Sequence, residues 1–197
     1  NYNFLTTPKI QISSMHSTDR KDDIPNRDSS DFRFDQANMF LINPYQGRDN
    51  IQTYQRLNYG IDNFMSSKIG DLNFFFGQSH RIGGTNNNIL NSNSNRQSDF
   101  VGELKWKISE KHNISYNTFL DHHNFKENYT SFELNGNLAG LSYDLLHRSI
   151  NKDIVEDNTD REEFKLTINK KLFDINLSYS ATYDLNNNKT DLIYEEI

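Results

Sequence analysis

Apolar and polar residues alternate one by one along much of this chain. From Phe173 to Tyr183 the odd positions hold Phe, Ile, Leu, Tyr, Ala and Tyr, and the even positions hold only Asp, Asn, Ser and Thr. Successive side chains of a strand point to opposite faces, so this segment gains one greasy and one wet side as a strand and no coherent face as a helix. Phe100, Leu104, Trp106 and Ile108 alternate in the same way with Asp99, Glu103, Lys105 and Lys107. Further strands are expected at Ile51 to Ile61, Leu72 to His80, Ile114 to Leu120, Tyr129 to Leu134, Leu138 to Leu146 and Phe164 to Ile168. With one around Lys9 to Ser13 and another starting at Leu192, the pattern predicts roughly ten strands of the length that crosses an outer membrane. No segment carries a helical period.

Alternation alone equally fits a soluble antiparallel sandwich, which also has one buried and one wet face per strand. The connections favour a membrane meander. Tight turns are expected at Ser67 to Asp71, Ser109 to His112, Asn135 to Asn137 and Lys170 to Leu172, with Asn135-Gly136 a strong two-residue hairpin signal. Between them lie longer polar links: Arg81 to Gln97, His122 to Asn128, Ser149 to Arg161 and Asp184 to Thr190. Short turns on the periplasmic side and long loops outside are the rhythm of an up-and-down outer-membrane barrel. The expected fold is therefore all-β: an antiparallel up-and-down meander of roughly ten strands, forming an open curved sheet within a large outer-membrane barrel. Tyr54, Tyr59, Trp106, Tyr116, Tyr143, Tyr179 and Tyr183 lie along these strands as girdle residues would, although soluble sheets also favour Tyr and Trp.

Composition changes the picture in three places. The longest apolar runs, such as Phe74-Phe75-Phe76 and Asn38-Met39-Phe40-Leu41-Ile42, fall far short of the roughly 20 residues a membrane helix needs. A mean hydropathy of −0.85 does not count against a barrel, since only every second strand residue must meet lipid. A net charge of −6 argues against nucleic acid as a partner, and the lack of cysteine removes disulfides and Cys-based zinc sites. No charged-then-apolar leader follows Asn1, which for an exported protein implies a mature or truncated chain.

One segment, Ser17 to Gly47, has few strand signals yet is dense in Asp, Asn, Arg and aromatic residues, and long irregular segments in compact domains are usually functional. The Asn-rich stretch Thr85 to Asn95 reads instead as a solvated outer loop. Within the first segment, Ile24-Pro25-Asn26-Arg27-Asp28-Ser29, then Asp31-Phe32-Arg33-Phe34-Asp35 and Asn38-Met39-Phe40, closely resemble a stretch of the LptD family, also called organic solvent tolerance proteins. The likeness continues in order through Asn43-Pro44-Tyr45-Gln46-Gly47-Arg48-Asp49, Arg56-Leu57-Asn58-Tyr59-Gly60-Ile61, Phe76-Gly77-Gln78-Ser79-His80-Arg81 and Ser98-Asp99-Phe100-Val101-Gly102. It covers Pro8 to about Gly102. Departures occur at Arg27 and Gln52, where the family usually has Glu, and at Pro44 and Asn50, where it has Arg; any luminal ion pairs made by those charges are absent or rearranged here.

The resemblance implies a non-catalytic translocon component that inserts lipopolysaccharide into the outer leaflet of the Gram-negative outer membrane. Its implied partners are outer-membrane lipid, an LptE-like plug lipoprotein in the lumen, and a periplasmic Lpt bridge reached through an N-terminal jellyroll that this stretch lacks. The chain is expected to be an internal portion of the C-terminal barrel domain, without the first and final strands. Carried over by motif, the luminal or plug-facing positions are Pro25, Asn26, Asp28, Ser29, Asp31, Phe34, Asp35, Asn38, Gly47, Asp49, Arg56, Tyr59, Gly60, Gly77, Gln78, Ser79, Arg81, Ser98, Asp99 and Gly102.

Physically, a wet lumen tolerates Asp28, Asp31, Asp35, Asp49 and Arg33 in an inward loop held by carboxylate–guanidinium contacts; a solvated external loop is the plainer reading. Gly47, Gly60, Gly77 and Gly102 mark bends or close approaches to strands, or plain irregularity. Gln78 and Arg81 are expected either to hydrogen-bond inside the barrel or to end exposed strands.

Enzyme chemistry finds no constellation. His122-His123 with Asp121 is not expected to hold a metal, because neighbours on a strand point to opposite faces. Ser79-His80 lacks a nucleophile elbow, and Arg81-Ile82-Gly83-Gly84 is too short for a phosphate cradle. Neither cofactor nor metal is expected. The competing functions are a passive porin or receptor barrel and a soluble β-sandwich binding module, the latter separable by detergent dependence.

Overall fold

A computed structural model of the chain describes residues 2–16, 35–42, 54–84, 96–151, 159–173, 175–186 and 189–196. Ten strands follow one another: β1 (Asn3–Met15), β2 (Tyr54–Ser67), β3 (Gly70–Gly84), β4 (Phe100–Ser109), β5 (His112–Leu120), β6 (Glu127–Leu138), β7 (Leu141–Ile150), β8 (Arg161–Leu172), β9 (Ile175–Asp184) and β10 (Lys189–Glu196). They form a single sheet in sequence order, and every neighbouring pair is antiparallel. The sheet is open: among the described residues, β1 and β10 are its two edges and do not pair.

Connections alternate in length, as the sequence pattern predicts. The links β2–β3, β4–β5, β6–β7 and β8–β9 close at one end through the pairs Ser67↔Gly70, Ser109↔His112, Leu138↔Leu141 and Leu172↔Ile175. The strand ends joined by the longer links lie at the other end, which is the extracellular end of an outer-membrane barrel.

Two turn positions differ from the expectation. Asn135-Gly136 is not a turn but lies inside β6, and the hairpin closes instead at Ala139-Gly140, whose φ angles of 51° and 77° are those of a type I′ turn. A turn at Asn135-Gly136 would set Leu134 opposite Asn137 and Phe132 opposite Ala139. The observed register sets Leu134 opposite Leu145 and Phe132 opposite His147, so it keeps the leucines of β6 and β7 together on one face. Gly136 is needed for another reason: a Cβ there would stand 2.6 Å from the Tyr143 hydroxyl and 2.7 Å from the His112 ring. Similarly, the turn expected at Lys170 to Leu172 is displaced, since β8 runs to Leu172 and β9 starts at Ile175. Left-handed backbone strains an alanine by about 1–2 kcal/mol. Replacing Ala139→Asn, which tolerates that conformation, should therefore raise the urea midpoint of the detergent-solubilised protein by an amount equal to about 0.5–1 kcal/mol. An unchanged or lower midpoint would show that the turn is not strained at this position.

The register sorts side chains into two faces. One carries rows such as Ile61, Phe76 and Gly102, then Phe74, Leu104, Tyr116, Phe132 and His147, and further along Leu134, Leu145, Leu166 and Ala181. Much of it is open to the surroundings: Ile10 is 78% exposed, Phe132 41% and Phe164 40%. Soluble monomers rarely expose apolar patches above roughly 300–600 Å². Among the described residues no second layer covers this apolar face, and such a face running across the sheet is stable only against hydrocarbon, not as half of a β-sandwich. The opposite face carries Lys9, Asp62, Glu103, Lys105, Glu133, Arg148, Glu163 and Lys165, as a watery lumen requires.

Aromatic side chains recur along the apolar face, Tyr116 and Phe132 facing each other at mid-strand. Phe76, Phe100 and Phe125 stack in series near the long connections, with centroids 5.3 Å and 5.1 Å apart. At the tight-turn end the Trp106 indole N–H donates to the Ile69 carbonyl.

Candidate functional site

A group of buried apolar residues interrupts the polar face. Phe75, Val101 and Phe119 have the parity of Asp62, Glu103 and Asn117, yet all three are buried, and Met39 from the segment Asp35–Ile42 is fully buried upon them. The segment thus lies against the polar face of the sheet. Its Phe40 ring meets Phe75 edge to face at 6.2 Å, and Tyr129 stacks on Phe119 at 4.9 Å. Burying a side chain of methionine size contributes about 1.5–3 kcal/mol, enough to hold one turn of chain in place when hydrogen bonds add to it.

Those hydrogen bonds come from the segment itself and from the strands below. The Asp35 N–H donates to Asn38 Oδ1 at 2.9 Å, the Asn38 N–H donates to Asp35 Oδ1 at 2.8 Å, and the Met39 N–H donates to the Asp35 carbonyl. This reciprocal box closes the turn and presents Met39 and Phe40 to the sheet. Gln11 donates to the Phe40 carbonyl at 2.8 Å while its own oxygen accepts from Asn58, whose oxygen in turn accepts from the Ser79 hydroxyl. Asn58 and Ser79 are completely buried, so this chain satisfies groups that water does not reach. Asp62 collects three donors: Lys9 and Gln36 on one oxygen, both at 2.9 Å, and Asn73 on the other at 3.0 Å. Lys9 also lies 5.8 Å and 5.9 Å from the Phe40 and Phe75 ring centroids, near enough for a cation–π contribution.

The glycine pair Gly60↔Gly77 makes room for this arrangement. A Cβ on Gly77 would stand 2.6 Å from Phe75 Cζ, 2.9 Å from the Tyr59 carbonyl and 3.2 Å from Met39 Sδ; one on Gly60 would stand 2.9 Å from Phe75 Cε2. The close approach is therefore made by an aromatic ring laid over two glycines together with the Tyr59 and Phe76 carbonyls of the paired strands.

The residues expected from motif resemblance separate as follows. Pro25, Asn26, Asp28, Ser29, Asp31, Phe34, Gly47 and Asp49, together with Arg33, lie outside the described residues. Asp35 and Asn38 form the turn box, and Arg56, Gly60, Gly77 and Ser79 have polar-face register with it; Arg56 reaches the Leu41 carbonyl at 3.4 Å. Tyr59, Gln78 and Gly102 have the opposite parity, on the apolar face. There the Tyr59 hydroxyl donates to Gln78, and Gln78 donates to the Ser98 carbonyl at 2.9 Å. Arg81 joins the same clasp through its backbone, its N–H donating to the Arg96 carbonyl, while the Ser98 N–H donates to the Ser79 carbonyl. The Ser98 hydroxyl accepts from the Ser79 N–H, so motifs some 20 residues apart in sequence are one structural unit.

Asp99 sits at the foot of that clasp, fully buried, with Asn128 donating to Oδ2 at 2.8 Å. Burial pushes its carboxyl up to about 6, against the Asn128 hydrogen bond and aided by the nearby Asp121 charge. For Asp121 burial acts in the same upward sense, but the N–H groups of His123 and Asn124 and the two neighbouring imidazoles prevail and hold it below the usual carboxylate range. Burial, then the neighbouring His123, lower His122. The expectation that Asp121 and His122 point apart does not hold, because β5 ends at Leu120 and these residues lie beyond it, where strand parity no longer applies.

Asp62, Phe75, Val101 and Phe119 were not singled out from sequence. The signal of the three apolar ones is the pairing of adjacent apolar residues, Phe75-Phe76, Phe100-Val101 and Phe119-Leu120, in strands that otherwise alternate: one of each pair must lie on the wet face, where something has to cover it.

An open antiparallel meander with an outward apolar face, a polar inner face and an inward-packed segment defines a β-barrel protein of the outer membrane. The family model described as LptD, LPS transport system D, matches residues 2–188, and the chain belongs to that family. It is thus a lipopolysaccharide-transport protein of the Gram-negative outer membrane and not an enzyme. No curated protein matches it in sequence.

Proposed function

We propose that the chain is part of the C-terminal barrel of a translocon that inserts lipopolysaccharide into the outer leaflet. In this reading an LptE-like lipoprotein occupies the lumen, and a periplasmic Lpt bridge delivers the lipid through an N-terminal domain. The observation that supports it best is the segment Asp35–Ile42, anchored through Met39 to the polar face. The apolar anchor fixes a stretch of inner wall, which a lumen shaped around a plug needs. Beside the segment runs an open groove of about 420 Å³ lined by Ala37, Lys105, Asn117, Tyr129 and Glu133, a mixed polar and aromatic surface suited to a protein partner.

The test is site-specific photocrosslinking in the full-length protein. A crosslinking residue at Asn117 or Lys105 should capture the plug lipoprotein, and one at Ile168 on the apolar face should not. Depleting the full-length protein should strand newly made lipopolysaccharide on the periplasmic side. Normal surface lipopolysaccharide after depletion, or absence of a lipoprotein crosslink from both groove positions, would overturn the proposal.

A further inference from the structure

The long-connection end of the sheet holds a cluster that the transport reading does not use. Asp99 precedes β4, Asp121 follows β5, and His122 begins the turn after it; one potential ligand atom from each lies within 4.8 Å of the others. We infer that Asp99, Asp121 and His122 bind a divalent transition-metal ion of the zinc class, which locks the β3–β4 connection to the β5–β6 turn at the extracellular rim.

Burial is the first support. Asp99 is completely buried and its Oδ1 has no hydrogen-bond partner among the described residues, while Oδ2 accepts from Asn128. A buried carboxylate oxygen with nothing to accept from is costly, and a second carboxylate beside it raises that cost. A cation between them removes both penalties. Orientation is the second support: Asp121 Oδ1 is fixed by the N–H groups of His123 at 2.8 Å and Asn124 at 3.0 Å, and Asn128 fixes Asp99 from the other side. Outer hydrogen bonds of this kind aim the ligands of built metal sites.

The donor set selects the metal. Two carboxylate oxygens and one imidazole nitrogen suit zinc and its neighbours, whereas calcium and magnesium take oxygen ligands. Ligand atoms bonded at about 2.1 Å in a tetrahedral site stand about 3.4 Å apart, so small side-chain rotations bring the present arrangement to binding geometry. Three protein ligands leave a fourth position for water. The inference does not depend on the transport reading.

The experiment uses untagged full-length protein in detergent, stripped with chelator and titrated with Co²⁺ and Zn²⁺. The expected result is uptake of one equivalent of Co²⁺ with visible d–d absorption, displaced by Zn²⁺. Asp99→Asn and His122→Gln should each weaken uptake at least tenfold, and His123→Gln should leave it unchanged. Wild-type protein that takes up no cobalt overturns the inference without recourse to any variant. So does uptake that survives both ligand substitutions, or that His123→Gln abolishes alone.

Discussion

Replacing Gly77→Val in the full-length protein is expected to abolish accumulation of the folded barrel in the outer membrane. Even the first added carbon would lie 2.6 Å from Phe75 Cζ and 2.9 Å from the Tyr59 carbonyl, both closer than real side chains come. The backbone oxygen belongs to the β2–β3 ladder, and the Phe75 ring is fully buried beneath the docked segment, so neither can move cheaply. Overpacking of this kind costs about 1–3 kcal/mol for a few added carbons, a large share of an ordinary stability margin. Gly83→Ala is the control: its new Cβ would meet the end of the flexible Gln55 side chain at 2.9 Å, which can swing away. Heat-modifiable migration on gels and the amount of protein in outer-membrane fractions measure the outcome. Gly77→Val protein at normal level and with normal migration would show that Phe75 is not held over the glycine pair.

The second large effect should come from Met39→Asp. Met39 lies outside the strands, so the substitution leaves every sheet hydrogen bond in place and acts only on the segment. Its side chain is completely buried against Phe75, Val101 and Phe119. A carboxylate there would lie against these apolar side chains, and desolvating it costs several kcal/mol, more than the roughly 1.5–3 kcal/mol that methionine burial contributes. The segment should therefore leave the polar face while the barrel stays folded. Limited proteolysis should cut near Asp35–Ile42 in the variant and not in the wild type, and barrel heat-modifiability should remain. If the inner wall matters as proposed, cells relying on the variant should also lose resistance to large hydrophobic antibiotics, while Met39→Leu, which preserves apolar volume, should not. A protease pattern identical to wild type would mean that the segment does not depend on this anchor.

How much of this was legible beforehand follows from the kind of signal each feature leaves. The alternation of β4 and β9 needs only local chemistry, because a strand with hydrocarbon on one side and water on the other must write that contrast into every second residue. Strand ends are less local. Asn135-Gly136 is the best turn dipeptide in the chain, yet it is bypassed because the hairpin register is decided by the match of Leu134 with Leu145 across two strands. Tyr59 and Gln78 were assigned to the lumen by motif, and it is register that gives them the opposite parity.

The residues by themselves determined that this chain forms an antiparallel meander whose strands have one apolar and one polar face, since period-two segments joined by alternating short and long links read that way locally, and the uncovered apolar face of the folded sheet then assigned that side to lipid. Only the tertiary structure decided what occupies the inner face. Phe75, Val101 and Phe119 come from three different strands, and Met39 from a connection far from them in sequence. They become one cluster only when the strands are laid side by side, as do Asp99, Asp121 and His122 at the rim. Contacts between distant segments carry no local periodicity, so a pattern read along the chain shows the odd apolar residue on a wet face and cannot name its cover.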